Sequence, residues 1–413
     1  MSEWRELKFA DLLLEPLRNG IYKKKEFHGR GAKIINMGEL FAFPRMFAIP
    51  MKRVELVGTE IERFSVKEND LLFARRSLVA EGAGKCNIVL SIDELTTFES
   101  SIIRARLNQD FCNSLFYYYY FNSPQGLYKL DTIRRQVAVA GITGRDLAEL
   151  YVPFPPLSEQ KAIAHILGSL DDKIELNRRM NETLEAMARA IFKDWFVDFG
   201  PTRAKMEGRA PYLPEPIWSL FPDAIDPQSG LPVGWGEATI SKYLDVKRGG
   251  SPRPIQDYIV PKGIPWVKIA DATSISSPFI FSTKEFIKPE GLKKTVKLNA
   301  GNLILSNSAT PGLPKFLMLD ACIHDGWLYF PKIDKFSKEY LYLLFLSIRQ
   351  NLVGQGNGSI FTNLKIEIIK NQRIVDPPQT VINLFMSSIP SFFEKMLFTD
   401  NESRTLAELR DRL

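Results

Sequence analysis

The chain has 413 residues, 45% of them hydrophobic, a formal charge of +6 and three cysteines. That length suits two or three domains with cores of their own and excludes a disulfide-stapled miniprotein. The longest apolar runs, LFYYYYF (115–121) and LYLLFLSI (341–348), are too short to span a membrane, and no signal-peptide core opens the chain.

Cys86, Cys112 and Cys322 form no CxxC pair, so reduced thiols, a cytoplasmic location and no membrane partner are expected. The charge is unevenly spread. Residues 1–156 hold 22 basic against 19 acidic side chains and residues 231–378 hold 19 against 12, whereas 157–200, 201–230 and 379–413 are slightly acidic. Two basic modules joined by acidic elements suit a polyanionic partner; solvated lysines are the plain alternative.

In chain order, the first module opens at Trp4 and continues through two short strand-like runs, GAKIINMGE (31–39) and NDLLFARRS (69–77). The second opens at Trp235, and its GIPWVKIAD (263–271) and GNLILSNSA (301–309) repeat those patterns. Further on, residues 111–191 align without a gap on 333–413, a shift of 222 that superposes Tyr118 and Tyr120 on Tyr340 and Tyr342, and Pro155-Pro156 on Pro377-Pro378. Only nine of those 81 positions are identical, so the shared pattern carries the repeat. The fold class expected is mixed α/β: two similar domains, 1–156 and 231–378, each followed by a helix, 157–200 and 379–413, with a linker at 201–230.

Pro155-Pro156 blocks helix upstream and Ser158 offers an N-cap. From there Ile163, Leu167, Leu170, Ile174, Asn177, Asn181, Leu184, Ala188, Ile191 and Trp195 alternate by four and three, a coiled-coil seam. The second helix has its own seam: Phe385, Ile389, Phe392, Met396, Thr399, Ser403 and Leu406. Both turn polar at matched places, which fixes register if the two pair antiparallel. Pro390 should kink or interrupt the second helix. Glu159 to Trp195 would span roughly 55 Å at 1.5 Å per residue, a ruler between two domains.

PFPPLSEQ (153–160), AIFKDWFVDFGPTRAKMEG (190–208), SLFPDAIDPQSGLPVGW (219–235) and VKRGGSPRP (246–254) together resemble the specificity subunits of type I restriction-modification systems. The resemblance implies two target-recognition domains, each reading half of a split, asymmetric double-stranded DNA sequence, separated by two helices in an antiparallel coiled coil. It implies a non-catalytic subunit that binds no cofactor or metal itself. Two methyltransferase subunits would carry S-adenosylmethionine and methylate adenine at N6, and restriction subunits would use ATP and Mg²⁺ to translocate and cut. One departure is that the chain stops at Leu413, where family members usually continue for a few turns.

Candidate backbone contacts are Lys23, Lys24, Lys25 and Arg30 in the first domain and Lys247, Arg248 and Arg253 in the second, the latter beside Gly249-Gly250. Arg75 and Arg76 match Asn307 and Ser308 in the repeat, a change of residue type that two readers of different half-sites would show. Arg45 and Lys315 complete the set. The tyrosine run 117–120 reads as core, like its repeat partner EYLYLLFL.

Enzyme signals are weak. DPPQ (376–379) lacks the aromatic of an amino-methyltransferase motif, GAGKC (82–86) has only part of a phosphate-loop pattern, and GQGNG (354–358) is a lone glycine cluster. His28, His165 and His324 are scattered. An enzyme with an unrecognised site and a two-domain scaffold without DNA contact stay open as alternatives.

Overall fold

The computed structural model describes residues 4–77, 80–135, 140–354 and 363–413. It divides into two compact units, residues 1–174 with 405–413 and residues 175–404.

The first unit is built on a five-stranded sheet in the order β2 (Leu13–Asn19), β10 (Ile102–Leu107), β6 (Leu71–Ala74), β8 (Cys86–Val89) and β4 (Arg45–Met46). Neighbours are antiparallel except β4 and β8. The central strand, LLFA, is buried throughout, which its continuous apolar run requires. A second sheet has the order β5 (Lys52–Val54), β3 (His28–Ile35), β9 (Thr96–Phe98), with β3 and β9 parallel. Two short ladders complete the unit, β1 (Arg5–Lys8) with β12 (Tyr151–Phe154) and β7 (Arg76–Ser77) with β11 (Ala140–Gly141). Its shorter helices are α1 (Met37–Ala42), α2 (Thr59–Phe64), α3 (Ser114–Asn122), α4 (Pro124–Thr132) and α5 (Gly144–Ala148).

The second unit repeats this plan. Its main sheet runs β14 (Leu244–Arg248), β23 (Trp327–Ile333), β20 (Leu303–Ser306), β21 (Pro314–Leu317), β17 (Phe279–Ile280), again antiparallel except for the last pair. The smaller sheet is β15 (Ile259–Val260), β18 (Phe286–Ile287), β16 (Ile264–Val267), β22 (Ala321–Ile323), β19 (Val296–Leu298), with β16 and β22 parallel as β3 and β9 are. The ladder of β13 (Gly236–Thr239) with β24 (Arg373–Asp376) matches β1 with β12. Helices α9 (Ile269–Thr273), α10 (Lys338–Gly354) and α11 (Ile366–Asn371) accompany these sheets.

The repeated strings have repeated physical reasons. Asn69 and Gly301, 232 residues apart, both take a left-handed backbone before the central strand, φ 69° and 81°, which asparagine and glycine tolerate. The acids at the ends of the first strings cap the helices that follow: Asn36 N–H donates to Glu39 Oε2 at 2.9 Å and Lys268 N–H to Asp271 Oδ2 at 2.8 Å.

Two long helical segments follow the domains, α6 (Leu157–Phe196) and the pair α12 (Gln379–Ser388) and α13 (Pro390–Arg412). Both β12 to β24 and the start of α6 to the start of α12 keep the 222-residue shift. The sequence suggested Ser158 as the α6 cap, but Glu159 and Gln160 N–H both donate to Pro156 O, so Ser158 lies within the first turn. Pro390 does interrupt the second segment, because its missing N–H and its ring exclude it from a helix interior. In the second unit α6 and α13 run antiparallel: Asn177 meets Thr399 and Ser403, and Asn181 meets Met396 and Asp400.

The stretch 201–230, expected as a linker, is folded. It holds α7 (Gly200–Met206) and α8 (Glu215–Trp218), and Phe221 joins Phe192, Trp195, Phe196, Trp235 and Phe385 in the second unit's main core. Edge-on ring pairs such as Trp195–Phe221 at 5.2 Å and Phe196–Phe385 at 5.0 Å knit it together. In the first unit Tyr117 and Tyr118 are buried in the core with Phe9, Phe73 and Phe121. Among the described residues no helix is long and apolar enough to cross a membrane.

Candidate nucleic-acid interface

In each unit three segments distant in sequence meet at one edge: the end of the first main-sheet strand, the turn between two later strands, and the residue after the central strand. Gly20 N–H donates to Ile102 O at 3.0 Å and Gly249 N–H to Trp327 O at 2.8 Å. Arg75 N–H donates to Ser101 O and Asn307 N–H to Gly326 O, both at 2.8 Å. These bonds equate Gly20 with Gly249, Arg75 with Asn307 and Ser100 with Asp325. The glycines are obligatory, since a Cβ on Gly20 would collide with the carbonyl oxygens of Phe98 and Glu99, and one on Gly249 with those of Ile323 and His324.

This frame presents several of the basic side chains singled out above. Lys24, Lys25 and Arg30 lie on the loop and strand after Gly20 and are exposed, with Arg30 Nε 2.6 Å from Glu55. Arg76 is exposed on β7. Lys247 and Arg248 are exposed at the end of β14, next to a break in its register with β23. Arg253 is 72% exposed and lies 3.1 Å from Asp325.

Four others are corrected. Lys23 is pulled into the fold by an ion pair to Glu60 at 2.6 Å, its side chain only 9% exposed, and it is spent internally. Arg45 is nearly buried and bonds to Asp172 Oδ1 at 2.6 Å, fastening β4 to α6 within the first unit. Lys315 lies inside β21, 3% exposed, donating to the backbone oxygens of Ile275 and Ser277. Burial pulls its ammonium down to about 8, opposed by the Glu185 and Asp400 carboxylates. Asn307 is 3% exposed, with Nδ2 donating to Asp325 O at 3.2 Å. Arg75 Nη1 makes the same bond to Ser100 O at 3.3 Å, so at this shared position both side chains brace a turn.

Sequence reasoning missed the lysines beside Gly250. Lys288 and Lys294 lie over the ring of Tyr258 at 5.2 and 4.9 Å, with Lys293 and Lys297 exposed nearby in sequence. Thr295 ties this segment to the frame by donating to Gly250 O at 2.7 Å. The signal was the run LKKTVKL (292–298), whose placement needs the fold.

On the helices, the structure brings together Asn177, Asn181, Thr399 and Ser403. Asn177 Nδ2 donates to Ser403 Oγ at 3.2 Å and Asn181 Nδ2 to Asp400 Oδ1 at 2.7 Å. Leu184, Ile191, Phe385, Ile389 and Met396 pack in the second unit's core, but Phe393 rather than Phe392 is the buried phenylalanine there, edge-on to Phe316 and Tyr342. In the first unit Ile163 packs on the core beside the more buried Ala164, while Leu167, Leu170, Ile174 and Leu406 are half-buried. Gln160, of PPLSEQ, is fully buried and satisfied: it accepts from Asn113 N–H at 2.8 Å and donates to Phe111 O and Pro155 O.

The motifs that resembled enzyme signals have internal partners. Asp376 of DPPQ accepts from Tyr243 Oη at 2.6 Å and Lys242 at 3.1 Å, and Lys85 of GAGKC donates to Phe41 O at 3.0 Å. Residues 355–358 of GQGNG lie outside the described residues. The three cysteines are buried, and burial raises the thiols of Cys112 and Cys322 to about 12 and about 11. Among the described residues no cluster of His, Cys, Asp or Glu is placed to hold a metal.

Comparisons with known proteins place this geometry. The sequence profile of the type I restriction modification DNA specificity domain matches residues 1–186. The HindI specificity subunit of Haemophilus influenzae is 24% identical over all of this chain and 98% of its own length. The MjaIX specificity subunit of Methanocaldococcus jannaschii is 25% identical over 79% of this chain and 72% of its own. The crystal structure of a type I restriction-modification S subunit from M. genitalium shares the fold, with a TM-score of 0.56 at 14% identity, covering 99% of this chain and 94% of that one. A repeated α/β frame and antiparallel helices accompany a likeness that runs along the entire chain: the chain is similar, over its whole length, to the specificity subunits of type I restriction-modification systems.

Proposed function

We propose that this chain selects DNA for a type I restriction-modification complex. Each unit reads one half of a bipartite, asymmetric double-stranded target and docks one methyltransferase subunit, and the paired helices set the interval between half-sites. The observation that carries the reading is the pair of matched edges: one backbone frame, made twice, bearing different side chains at equivalent positions. That is what two readers of unlike half-sites need. The positive excess of both sheet-bearing regions supports a phosphate-dominated affinity that falls with salt. On this reading the chain performs no catalysis. S-adenosylmethionine, ATP and Mg²⁺ belong to the methyltransferase and restriction subunits, and the setting is the cytoplasm.

The test is to map methylated adenines in DNA from cells carrying the system, and to measure salt-dependent binding of the complex to duplexes with the mapped site. A split motif bound with a steep salt slope is expected. Turnover of S-adenosylmethionine or cleavage of plasmid by the purified chain alone would overturn the non-catalytic role. Removing one heptad from each long helix should shorten the preferred interval and leave both half-sites unchanged.

A further inference from the structure

Asp325, in the turn between β22 and β23, gathers five polar side chains at the second unit's edge. Its Oδ1 accepts from Ser251 Oγ at 2.9 Å, and its own N–H donates back to Ser251 Oγ at 3.3 Å. Its Oδ2 accepts from Arg253 Nη2 at 3.1 Å. Its backbone oxygen takes Arg248 Nε at 2.5 Å and Asn307 Nδ2 at 3.2 Å. His324 adds a further contact, Nε2 to Oδ1 at 3.0 Å. The imidazole's Nδ1 accepts from Gly326 N–H at 2.8 Å, so Nε2 carries the proton and donates to the carboxylate.

A carboxylate is an odd group to place at the focus of a DNA-facing edge, because it repels phosphate. Its position here is explained by what it holds. Arg248 and Ser251-Pro252-Arg253 flank the Gly249-Gly250 turn, a segment without a helix or long strand of its own. Long arginine side chains on such a segment would lose considerable conformational freedom on binding. Asp325 fixes the segment beforehand, holding Arg253 by its carboxylate and Arg248 by its backbone oxygen. The first unit has Ser100 at the equivalent place, whose backbone oxygen takes Arg75 but which offers no carboxylate, so the carboxylate clamp is particular to one unit.

We propose that Asp325 is a positioning residue for DNA recognition, holding Arg248 and Arg253 against the backbone phosphates of the second half-site. This rests on the DNA-specificity reading above. Asp325 itself touches neither phosphate nor base; it acts through the two arginines.

The test uses the full chain in complex with its methyltransferase subunits, and a duplex library randomised in both half-sites of the mapped target. Asp325→Asn keeps an acceptor for Ser251 but loses the charge that orients Arg253. Binding to the selected duplex should weaken about 5- to 20-fold, and the salt slope should become shallower by about one phosphate, since the backbone bond to Arg248 is kept. Selectivity should relax only in the second half-site. In an Arg248→Gln/Arg253→Gln background the same substitution should have little further effect. Asp325→Ser, which installs the residue of the first unit's turn, should behave like Asp325→Asn and gives a second variant should that one fold poorly. Unchanged affinity and slope, tighter binding, or equal losses in both half-sites would each overturn the proposal. A wild-type complex that selects no sequence would instead overturn the reading it rests on.

Discussion

Thr399 Oγ lies 2.5 Å from Asn181 Oδ1 in the buried seam of the second unit, and Asn181 in turn donates to Asp400. The hydroxyl and the amide satisfy each other where no water reaches, so each is costly to lose alone. Asn181→Leu should destabilise the chain by about 1–3 kcal/mol. The double variant Asn181→Leu/Thr399→Val should lose less than the sum of the two single changes. Urea denaturation followed through a double-mutant cycle reads that difference.

Asp171, almost fully buried in the first unit, accepts from Arg410 at 2.6 Å and from Tyr119 Oη at 2.7 Å. Asp171→Ala would leave Arg410 and Tyr119 without that acceptor. A loss of about 2–4 kcal/mol is expected, toward the range for breaking a buried pair. Arg410→Ala should cost less, because Asp171 keeps the Tyr119 bond. Thermal melting of the two variants compares them.

The exposed and internal cations should separate in a salt titration of DNA binding. Lys24→Ala, Lys25→Ala or Arg248→Ala should each reduce the slope by about one phosphate. Arg45→Ala should leave the slope unchanged and lower stability instead, since Arg45 is engaged with Asp172.

Lys315 makes stability depend on alkaline pH. Burial depresses its ammonium from 10.5 to about 8, so between those values the unfolded chain holds the proton more tightly than the folded one. The folded state carries the cost of the buried charge below pH 8 and is relieved of it as pH rises toward 10.5. Relative to Lys315→Met, the wild type should therefore gain on the order of 3 kcal/mol across that window. Parallel stability curves for the two proteins from pH 7.5 to 10.5 would remove Lys315 as the cause.

Gly249→Ala should disrupt the edge of the second unit, because the added methyl meets backbone oxygens that cannot swing aside. A destabilisation of about 2–4 kcal/mol is expected, with DNA binding impaired in the second half-site more than in the first. Gly20→Ala should do the same for the first.

Much of the frame was legible because it is written in local chemistry. Asn69 and Gly301 mark the same left-handed turn, Glu39 and Asp271 the same helix start, and the 222-residue shift places β12 against β24. The contacts were harder. Strand alternation tells which face is wet only when one face is dry, and β20 and β21 are buried on both, so Asn307 and Lys315 looked available when they are interior. Lys23 gave no local sign that Glu60 would claim it. Asp325 was invisible because its meaning depends on Ser251, 74 residues away.

The equivalence of Ser100 and Asp325 on one main-chain scaffold has a consequence for tolerance to substitution. The bonds that shape the edge run between backbone groups, through Gly20 or Gly249 and through Ser101 or Gly326, so they survive when neighbouring side chains are exchanged. Side chains along the edge can thus be exchanged, changing its shape and charge, while the main-chain bonds that hold it stay in place.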